Sequence, residues 1–497
     1  MGRKSRLQAF RDRKQWLIPY LFSQEDQRTP KHDNVPKHIL FSFVDHFEPG
    51  HGKADWVEQL ARVEHWHRRY PEVVRSFKDS EGHRPRHTWF YLGEEPEHLK
   101  RLGELCFQGF GEIELHIHHG SKDNIPDQWK HNSRETLGRY IQNQLNFFSR
   151  YGALITAEES PQRVFGFLHG MFALDNSLPD YCGVSGELRL LRELGCYGDF
   201  TFPAPGKSQP SIINRHYYPT GNPEKGSSYF QGEEIKVGSE PRDAVLIFQG
   251  PLGLVRKGIR FKVEDGHLDW NLLPTRERVL FWISRVIHVK GRPEWVFVKV
   301  YTHGAMARNI EEFLGEPMAK LHQVLRELSH ESPPLILHYV TAREAFNIAM
   351  AAMAGKSGDP GEFRNFFIPP YANTLIYCNR PYRLEEYSRQ GWSLQLLDCK
   401  EAHLKVKGDL EAEVRGESLE EIRLYRDDRS GGMILQARGK GKVDGSFKNL
   451  KEREFCGERR GLEGAVSFSP LSGDLGLSFS SSFSSTGILK FVWGLPR

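Results

Sequence analysis

The chain has 497 residues, and its 68 basic and 64 acidic side chains leave a formal net charge of +4. This near balance does not indicate a nucleic-acid-binding surface. No apolar run approaches the roughly 20 residues of a membrane span, and the six cysteines have no CxxC spacing. A transmembrane protein and a disulfide framework are therefore not expected, and the length suggests two domains.

Residues 1–35 are predicted to form an N-terminal extension. Positive charges at residues 2–6, Arg11, Arg13 and Lys14 are typical of a frayed, solvated end. Contact with an acidic membrane surface is the alternative interpretation. No apolar stretch follows these charges, so no secretory signal is expected and a cytoplasmic location is predicted.

Residues 36–360 alternate short apolar strands with amphipathic helices, which predicts an α/β domain with a parallel sheet. Its simplest closed form is a distorted seven-stranded (β/α) barrel, and an open doubly wound sheet is the alternative. No Gly-rich phosphate loop follows the first strand, which argues against a nucleotide-binding version. The strands are expected at 38–44, 88–92, 113–118, 164–168, 196–201, 295–301 and 335–339, and the helices at 55–70, 96–106, 133–151, 186–194, 306–329 and 341–354.

Two further regions complete the predicted organisation. Residues 202–292 are too long for a loop and contain strand-like pieces at 244–248 and 259–263 and a helix near 276–286. They are interpreted as an insertion in the fifth βα connection. Helical periodicity fades after residue 370, and residues 370–497 are expected to form a smaller β-rich C-terminal domain, most simply a sandwich.

Three histidines at the end of the third predicted strand, in Glu-Leu-His-Ile-His-His-Gly at 114–120, are the most informative feature. A strand alternates its faces, so His116 and His118 point the same way. Because imidazole is a common ligand for zinc, this pattern predicts half of a metal site. The alternative is a polar strand end with solvated histidines. His119 points away from His116 and is either a further ligand, a supporting residue or solvent-facing.

Polar residues also follow four other predicted strands. Catalytic residues collect at the C-terminal ends of the strands of parallel α/β barrels, so these side chains are expected to meet in one metal-assisted site. The residues are Asp45, His46 and Glu48 after the first strand, His169, Asp175 and Asn176 after the fourth, Asp199 at the fifth and His303 at the sixth.

The expected chemistry is metal-assisted hydrolysis. A divalent metal polarises a carbonyl and lowers the pKa of bound water toward about 7. Asp45 and Glu48 are candidates for both base and metal ligand, and His303 for the acid. Their alternatives are a helix cap, a solvated loop residue and a structural histidine, respectively. The remaining polar residues are candidate substrate-binding groups, namely His46, His169, Asp175, Asn176 and Asp199.

In order and spacing, these motifs resemble the polysaccharide deacetylase superfamily, of the carbohydrate esterase family 4 type related to nodulation-factor deacetylases. The resemblance covers about residues 36–355 and is to an outlying branch. The matching segments are FVDHFEP at 43–49, ELHIHH at 114–119, FLHG at 167–170 continuing to LDNS at 174–177, CGV at 182–184, GCYGDFT at 195–201 and YTHGA at 301–305.

The resemblance implies a distorted seven-stranded β/α barrel and a divalent metal, usually zinc, held by one Asp and two His. It also implies removal of N-acetyl or O-acetyl groups from sugars. The metal histidines fall among His116, His118 and His119, and the acid falls on His303. The Asp pair of the family falls on Asp45 and either His46 or Glu48, and the family's HxxxH is replaced by HxHH. Glu48 restores the missing carboxylate if it reaches the metal from one turn later.

The leading hypothesis is a metal-dependent deacetylase that acts on an acetylated sugar precursor in surface or exopolysaccharide metabolism. A related barrel glycosidase is one alternative and needs a carboxylate pair, such as Asp45 with Asp175 or Asp199. A non-catalytic carbohydrate-binding or assembly protein is the other. The oligomeric state, the sugar and the position of its acetyl group stay open.

Overall fold

The structure, a computed structural model, describes most of the chain. The described residues are 6–22, 37–120, 130–155, 164–331, 335–378, 382–387, 392–397, 401–406, 410–426, 433–448, 455–460, 467–470 and 477–493. Two compact units divide the chain. The first comprises Met1–Leu102, Phe110–Phe147 and Glu158–Pro369, and the second comprises Gly103–Gly109, Phe148–Ala157 and Pro370–Arg497.

The helices of the described residues follow the predicted amphipathic segments with few exceptions. They are α1 (Arg6–Phe22), α2 (Trp56–Val74), α3 (Pro96–Phe107), α4 (Arg134–Arg150), α5 (Pro179–Cys182), α6 (Glu187–Glu193), α7 (Arg276–Ser284), α8 (Glu316–Ser329) and α9 (Ala342–Met353). Among the described residues, no helix has the length and apolar character to cross a membrane.

Twelve of the described strands belong to the first unit. They are β1 (Lys37–Phe47), β2 (His87–Tyr91), β3 (Gly111–Ile117), β4 (Phe165–His169), β5 (Cys196–Asp199), β6 (Tyr217–Pro219), β7 (Gly232–Glu234), β8 (Leu246–Ile247), β9 (Gly253–Lys257), β10 (Arg260–Glu264), β11 (Trp295–Thr302) and β12 (Leu335–Val340). All seven strands predicted from the sequence are present, each within a few residues of its expected bounds.

The main sheet is mixed and curls into a half-barrel. Its strand order is β11-β1-β2-β3-β4-β5-β8-β6-β7, with β12 also paired to β1. Neighbours from β11 to β8 run parallel, whereas β6 pairs antiparallel with β7 and β8. Every residue of β2, β4 and β5 is buried, as expected for parallel strands covered on both faces.

The closed seven-stranded barrel is not confirmed, because residues 202–292 contribute to the sheet. The short strands β6, β7 and β8 come from this region, and β8 extends the sheet by pairing with β5. The strand-like piece at 259–263 instead forms a hairpin of β9 and β10. The sheet therefore continues past β5 through segments that the sequence pattern placed in an insertion.

The prediction of a frayed N-terminus is wrong for residues 6–22, which form α1. Trp16 and Tyr20 are buried and pack with Ile213 and Leu252. This apolar anchor holds a helix that the charge pattern alone did not predict. Residues 2–5 of the basic start lie outside the described residues.

The predicted helix at 306–329 is interrupted. A π-helix at Asn309–Phe313 ends at Leu314, whose φ of −75° and ψ of 75° are not helical, and α8 begins at Glu316. Pro317 lies in the first turn of α8, where its missing N–H and fixed φ are tolerated. Gly315 and Pro317 thus mark the start of a new helix, α8, rather than a continuation of the π-helix.

Among its described residues, the second unit contains a sheet of nine strands. Its central neighbours are antiparallel, in the order β15-β17-β18-β21-β19. The strands are β13 (Asn373–Cys378), β14 (Tyr382–Tyr387), β15 (Trp392–Leu397), β16 (Glu401–Val406), β17 (Leu410–Arg426), β18 (Met433–Lys448), β19 (Phe455–Arg460), β20 (Ser467–Pro470) and β21 (Leu477–Trp493).

Candidate metal centre

The C-terminal ends of the parallel strands bring distant polar residues to one edge of the main sheet. Asp45 of β1 is in register with Thr302 of β11, so the residues that follow these strands emerge side by side. His116 of β3 is likewise in register with Leu168 of β4. The strand ends therefore position the site, as the sequence pattern predicts.

Five of the predicted site residues meet at this edge and are called the Glu48 cluster: His46, Glu48, His116, His118 and His303. Glu48 Oε1 lies 3.0 Å from His116 Nε2 and 3.3 Å from His118 Nε2. On the other side, the potential ligand atoms of His46, Glu48 and His303 lie within 4.8 Å of one another. One carboxylate thus lies at the centre of four imidazoles.

The hydrogen bond of His116 to β4 fixes which of its nitrogens faces Glu48. His116 Nδ1 lies 2.7 Å from the carbonyl oxygen of Leu168, which can only accept, so Nδ1 carries the hydrogen. Burial lowers the pKa of His116, so the ring is neutral near neutral pH and Nε2 presents a lone pair to Glu48. A backbone carbonyl that orients a ligating histidine in this way is typical of metal sites.

Glu48 is ionised in this arrangement. Burial by itself raises the pKa of Glu48, but the imidazoles of His116 and His118 beside the carboxylate outweigh burial and bring this pKa well below its usual value. An ionised carboxylate that faces a neutral imidazole lone pair is stabilised when a cation lies between them. One carboxylate oxygen and two imidazole nitrogens are a donor set that suits zinc or a related divalent metal.

His46 and His303 form the other half of the cluster. Their rings stack with 4.7 Å between centroids and an interplanar angle of 18°. Burial lowers the pKa of His46 well below its usual value, and burial lowers the pKa of His303 to about 4. Asn309 Nδ2 donates to the carbonyl oxygen of His303 at 2.8 Å and holds this loop. Both rings are therefore neutral near neutral pH and able to accept a proton.

The turn after β4 shapes the wall beside His118. A Cβ at Gly170 would lie 2.3 to 2.5 Å from atoms of the His118 ring, so a side chain there would displace this histidine. Phe172, held at a φ of 51°, places its ring 4.7 Å from that of His46. Gly170, the last residue of the FLHG segment, and Phe172, two residues later, thus shape the site.

Asp45 is not part of the Glu48 cluster, in contrast to its predicted roles as base and metal ligand. In β1 it faces the opposite side from His46 and contacts the helix layer. His87 Nε2–H donates to Asp45 Oδ2 at 2.9 Å, and the Gly304 backbone N–H donates to Oδ1 at 2.6 Å. Trp66 of α2 donates to the Gly304 carbonyl oxygen. Asp45 therefore holds the loop that carries His303 instead of contacting the candidate metal ligands.

His119 and His169 lie in a separate buried group with Glu187, here called the Glu187 cluster. His119 Nε2 lies 2.7 Å and His169 Nε2 lies 3.4 Å from Glu187 Oε1. Burial lowers the pKa of each histidine to about 3 and raises the pKa of Glu187 to about 7. His119 was predicted to bind the metal and His169 to bind the substrate. The structure places both against Glu187 and not in the Glu48 cluster.

The remaining predicted substrate-binding residues are also held elsewhere. Asp175 exchanges hydrogen bonds with Glu187 and accepts from the Ser228 hydroxyl at 2.6 Å. Asn176 donates to Ser185 Oγ at 2.9 Å. Asp199 is fully buried and accepts from the Thr201 hydroxyl at 2.7 Å. These three residues therefore stabilise the structure around the sheet edge and are not members of the Glu48 cluster.

Several residues of the site were not identified from the sequence. Glu187 lies in α6 within an ordinary amphipathic pattern, and His87 begins a strand, so neither carried a signal. His267 comes from residues 202–292, and its ring lies 5.7 Å from that of His303. The strand-end rule identifies residues that follow β-strands, but it does not find partners supplied by helices or by an insertion.

Comparison with models of known protein families, with curated proteins and with solved structures finds no match to this chain.

Proposed function

We propose that this protein is a metal-dependent hydrolase that removes acetyl groups from an amino sugar or polysaccharide precursor in surface or exopolysaccharide metabolism. The observation that carries the proposal is the convergence of His116 Nε2 and His118 Nε2 on Glu48 Oε1, at 3.0 Å and 3.3 Å. The sequence resemblance to polysaccharide deacetylases supplies the acetylated carbohydrate as the substrate class. The distorted seven-stranded (β/α) barrel implied by that resemblance is part of the same proposal.

Glu48, His116 and His118 are the residues that would hold the metal. Zinc is the preferred ion, because two imidazoles and one carboxylate are a common ligand set of hydrolytic zinc sites. When bound, such an ion polarises the acyl carbonyl and lowers the pKa of water. The Leu168 carbonyl orients His116, and Gly170 leaves room for His118.

His303 is the proposed proton carrier, first as base and then as acid. Its neutral ring takes a proton from the attacking water as the water oxygen bonds to the acyl carbon. The protonated ring then returns this proton to the sugar nitrogen as the carbon–nitrogen bond breaks. His46 stacks on His303 and keeps its ring at the edge of the Glu48 cluster. Acetate and the free amine are the products.

The glycosidase alternative receives less support from the geometry. It requires two carboxylates that flank the scissile bond. Asp45, Asp175 and Asp199, the partners considered for this role, are buried and bonded to other groups. Of the two carboxylates beside the strand-end histidines described above, Glu48 is partly exposed, whereas Glu187 is fully buried with His119 and His169.

Acetate release from defined substrates tests the proposal. Zinc-loaded full-length protein is incubated with chitin oligosaccharides, with nucleotide-linked N-acetylhexosamines and with O-acetylated xylan oligosaccharides. We expect acetate from at least one class. The variant His303→Ala should keep its metal and lose turnover by about 10²- to 10⁴-fold, whereas His116→Ala/His118→Ala should lose both metal and turnover.

Two outcomes would contradict the deacetylase. Zinc-loaded protein that binds these glycans without releasing acetate would indicate a binding or assembly protein. New reducing ends without acetate would indicate a glycosidase.

A further inference from the structure

A second group of histidines lies at the opposite end of β1 from Glu48. His38 is near the start of this strand, and the register pairs Leu40 with His338 of β12, so His38 and His338 share one face of the sheet. His38 Nδ1 lies 2.9 Å from His338 Nε2. Ten residues of extended chain separate His38 from Glu48, or about 30 Å, so this group is independent of the Glu48 cluster.

A carboxylate fixes the tautomer of His338. Its Nδ1 lies 3.1 Å from Glu81 Oε2, so Nδ1 carries the hydrogen and Nε2 carries the lone pair. The His338 side chain is fully buried and cannot turn this nitrogen to solvent. Arg364 holds Glu81 in turn, through a contact of 2.5 Å. His338 Nε2 therefore faces His38, and a carboxylate that orients a histidine through its other nitrogen is a common arrangement in metal sites.

Asp359 supplies a third donor. Its Oδ1 lies 3.8 Å from His338 Nε2, and the potential ligand atoms of His38, His338 and Asp359 all lie within 4.8 Å of one another. The loop is anchored on both sides of Asp359, because Trp295 Nε1 donates to the Gly358 carbonyl and Asp359 accepts from the Gly361 N–H. The Asp359 side chain is 46 % exposed, which gives an ion access from solvent.

The neighbouring acidic group is a poorer site for a cation. Asp79, Glu81 and His83 also lie close together. The Arg364 guanidinium, however, already contacts Asp79 at 3.3 Å and Glu81 at 2.5 Å. An additional cation there would meet this positive charge, whereas His38, His338 and Asp359 combine two imidazole rings with one carboxylate.

We infer that His38, His338 and Asp359 form a second binding site for a divalent transition metal, with zinc, cobalt or nickel as the matching ions. The site joins the first strand of the sheet, the strand β12 and the loop after α9. Because its ligands come from positions far apart in the chain, an ion bound there stabilises the folded unit.

Cobalt binding to the full-length protein tests this inference, with His38→Gln/Asp359→Asn as the variant. We expect the wild type to bind about two Co²⁺ per chain and the variant about one. In the His116→Ala/His118→Ala background, about one Co²⁺ should remain and should disappear when the second pair of substitutions is added. Addition of Co²⁺ should raise the unfolding temperature of this background and not of the quadruple variant.

These variants distinguish the loss of one proposed metal site from the loss of the other. Cobalt retained in full by His38→Gln/Asp359→Asn would overturn the second site, as would the absence of bound cobalt from a folded His116→Ala/His118→Ala protein. His83→Gln serves as the local control. Loss of the second ion in this variant, with retention in His38→Gln/Asp359→Asn, would place the ion in the neighbouring acidic group and also overturn the inference.

Discussion

At the residue scale, the site depends on which face of β1 each side chain occupies. Asp45 and Glu48 are three positions apart, and the sequence offered both as base and ligand. The strand alternation turns Asp45 toward His87 and Gly304, while Glu48, just past the strand, reaches His116 and His118. Asp45, which the sequence resemblance matched to an Asp of the deacetylase motif, therefore has a structural role. Glu48 is the candidate ligand.

The matched pair Glu48→Gln and Asp45→Asn separates these two roles. Glu48→Gln should weaken zinc binding by at least about 10-fold, because the amide removes the negative charge that faces the imidazoles. Asp45→Asn should keep its zinc but unfold at a lower temperature, because a buried pair with His87 is weakened. Zinc titration and thermal unfolding of both variants check this expectation. Loss of zinc from Asp45→Asn with retention by Glu48→Gln would reverse the assignment.

At the scale of secondary structure, the repeating apolar pattern predicted the strands that carry the site. Strands β1, β3 and β11 were expected, and their ends supply His46, Glu48, His116, His118 and His303. The pattern did not predict α1, whose burial depends on a contact of Trp16 with distant apolar residues. It also could not place Glu187, since the partner of a buried histidine is set by how α6 packs and not by local periodicity.

Helix α9 illustrates how one element combines a local signal with long-range charges. Thr341 and Glu344 form a capping box at its start. The same Glu344 is buried among arginines, and it pairs with Arg86 and, at 3.4 Å, with Arg364. Burial by itself raises the pKa of Glu344, but the charges of these arginines and of Arg343 lower it to about 2. The folded state therefore favours the ionised carboxylate.

The variant Glu344→Gln tests this charge network, since glutamine preserves the capping box. The carboxylate has a lower pKa in the folded than in the unfolded chain, so its stabilising effect is complete above about pH 4.5 and is lost as the pH falls toward about 2. Near neutral pH we expect the free energy of unfolding to fall by about 3–5 kcal/mol. Urea denaturation at several pH values should show the gap to wild type closing in acid.

The exposed Glu362 provides a matched control for this experiment. Glu362→Gln should change the free energy of unfolding by less than about 0.5 kcal/mol at any of these pH values. A gap between wild type and Glu344→Gln that stays constant from neutral to acid pH would show that the charge is not the stabilising feature.

At the scale of the whole molecule, the domain boundary that the sequence pattern predicts near residue 370 accounts for only part of the second unit. That unit also includes Phe148–Ala157, which contains the end of α4. The Thr374 N–H donates to the Gly152 carbonyl at 2.8 Å, and the Ala372 N–H donates to the Ile155 carbonyl at 2.7 Å. Composition marks where β structure begins along the chain, but it carries no information on which earlier segment pairs with it.

A pair of glycine variants tests how much this pairing stabilises the protein. Gly152 and Gly238 have similar positive φ values of 86° and 80°, so alanine strains the backbone at both, by about 1–2 kcal/mol. Only at Gly152 would the new Cβ collide, lying 1.8 Å from the Thr374 carbonyl oxygen, whereas nothing lies within 4 Å at Gly238. We expect Gly152→Ala to lose clearly more free energy of unfolding in urea and to expose residues 370–378 to proteolysis. Equal losses in the two variants would show that backbone strain alone accounts for the effect and that the pairing of Gly152 with Thr374 adds little to stability.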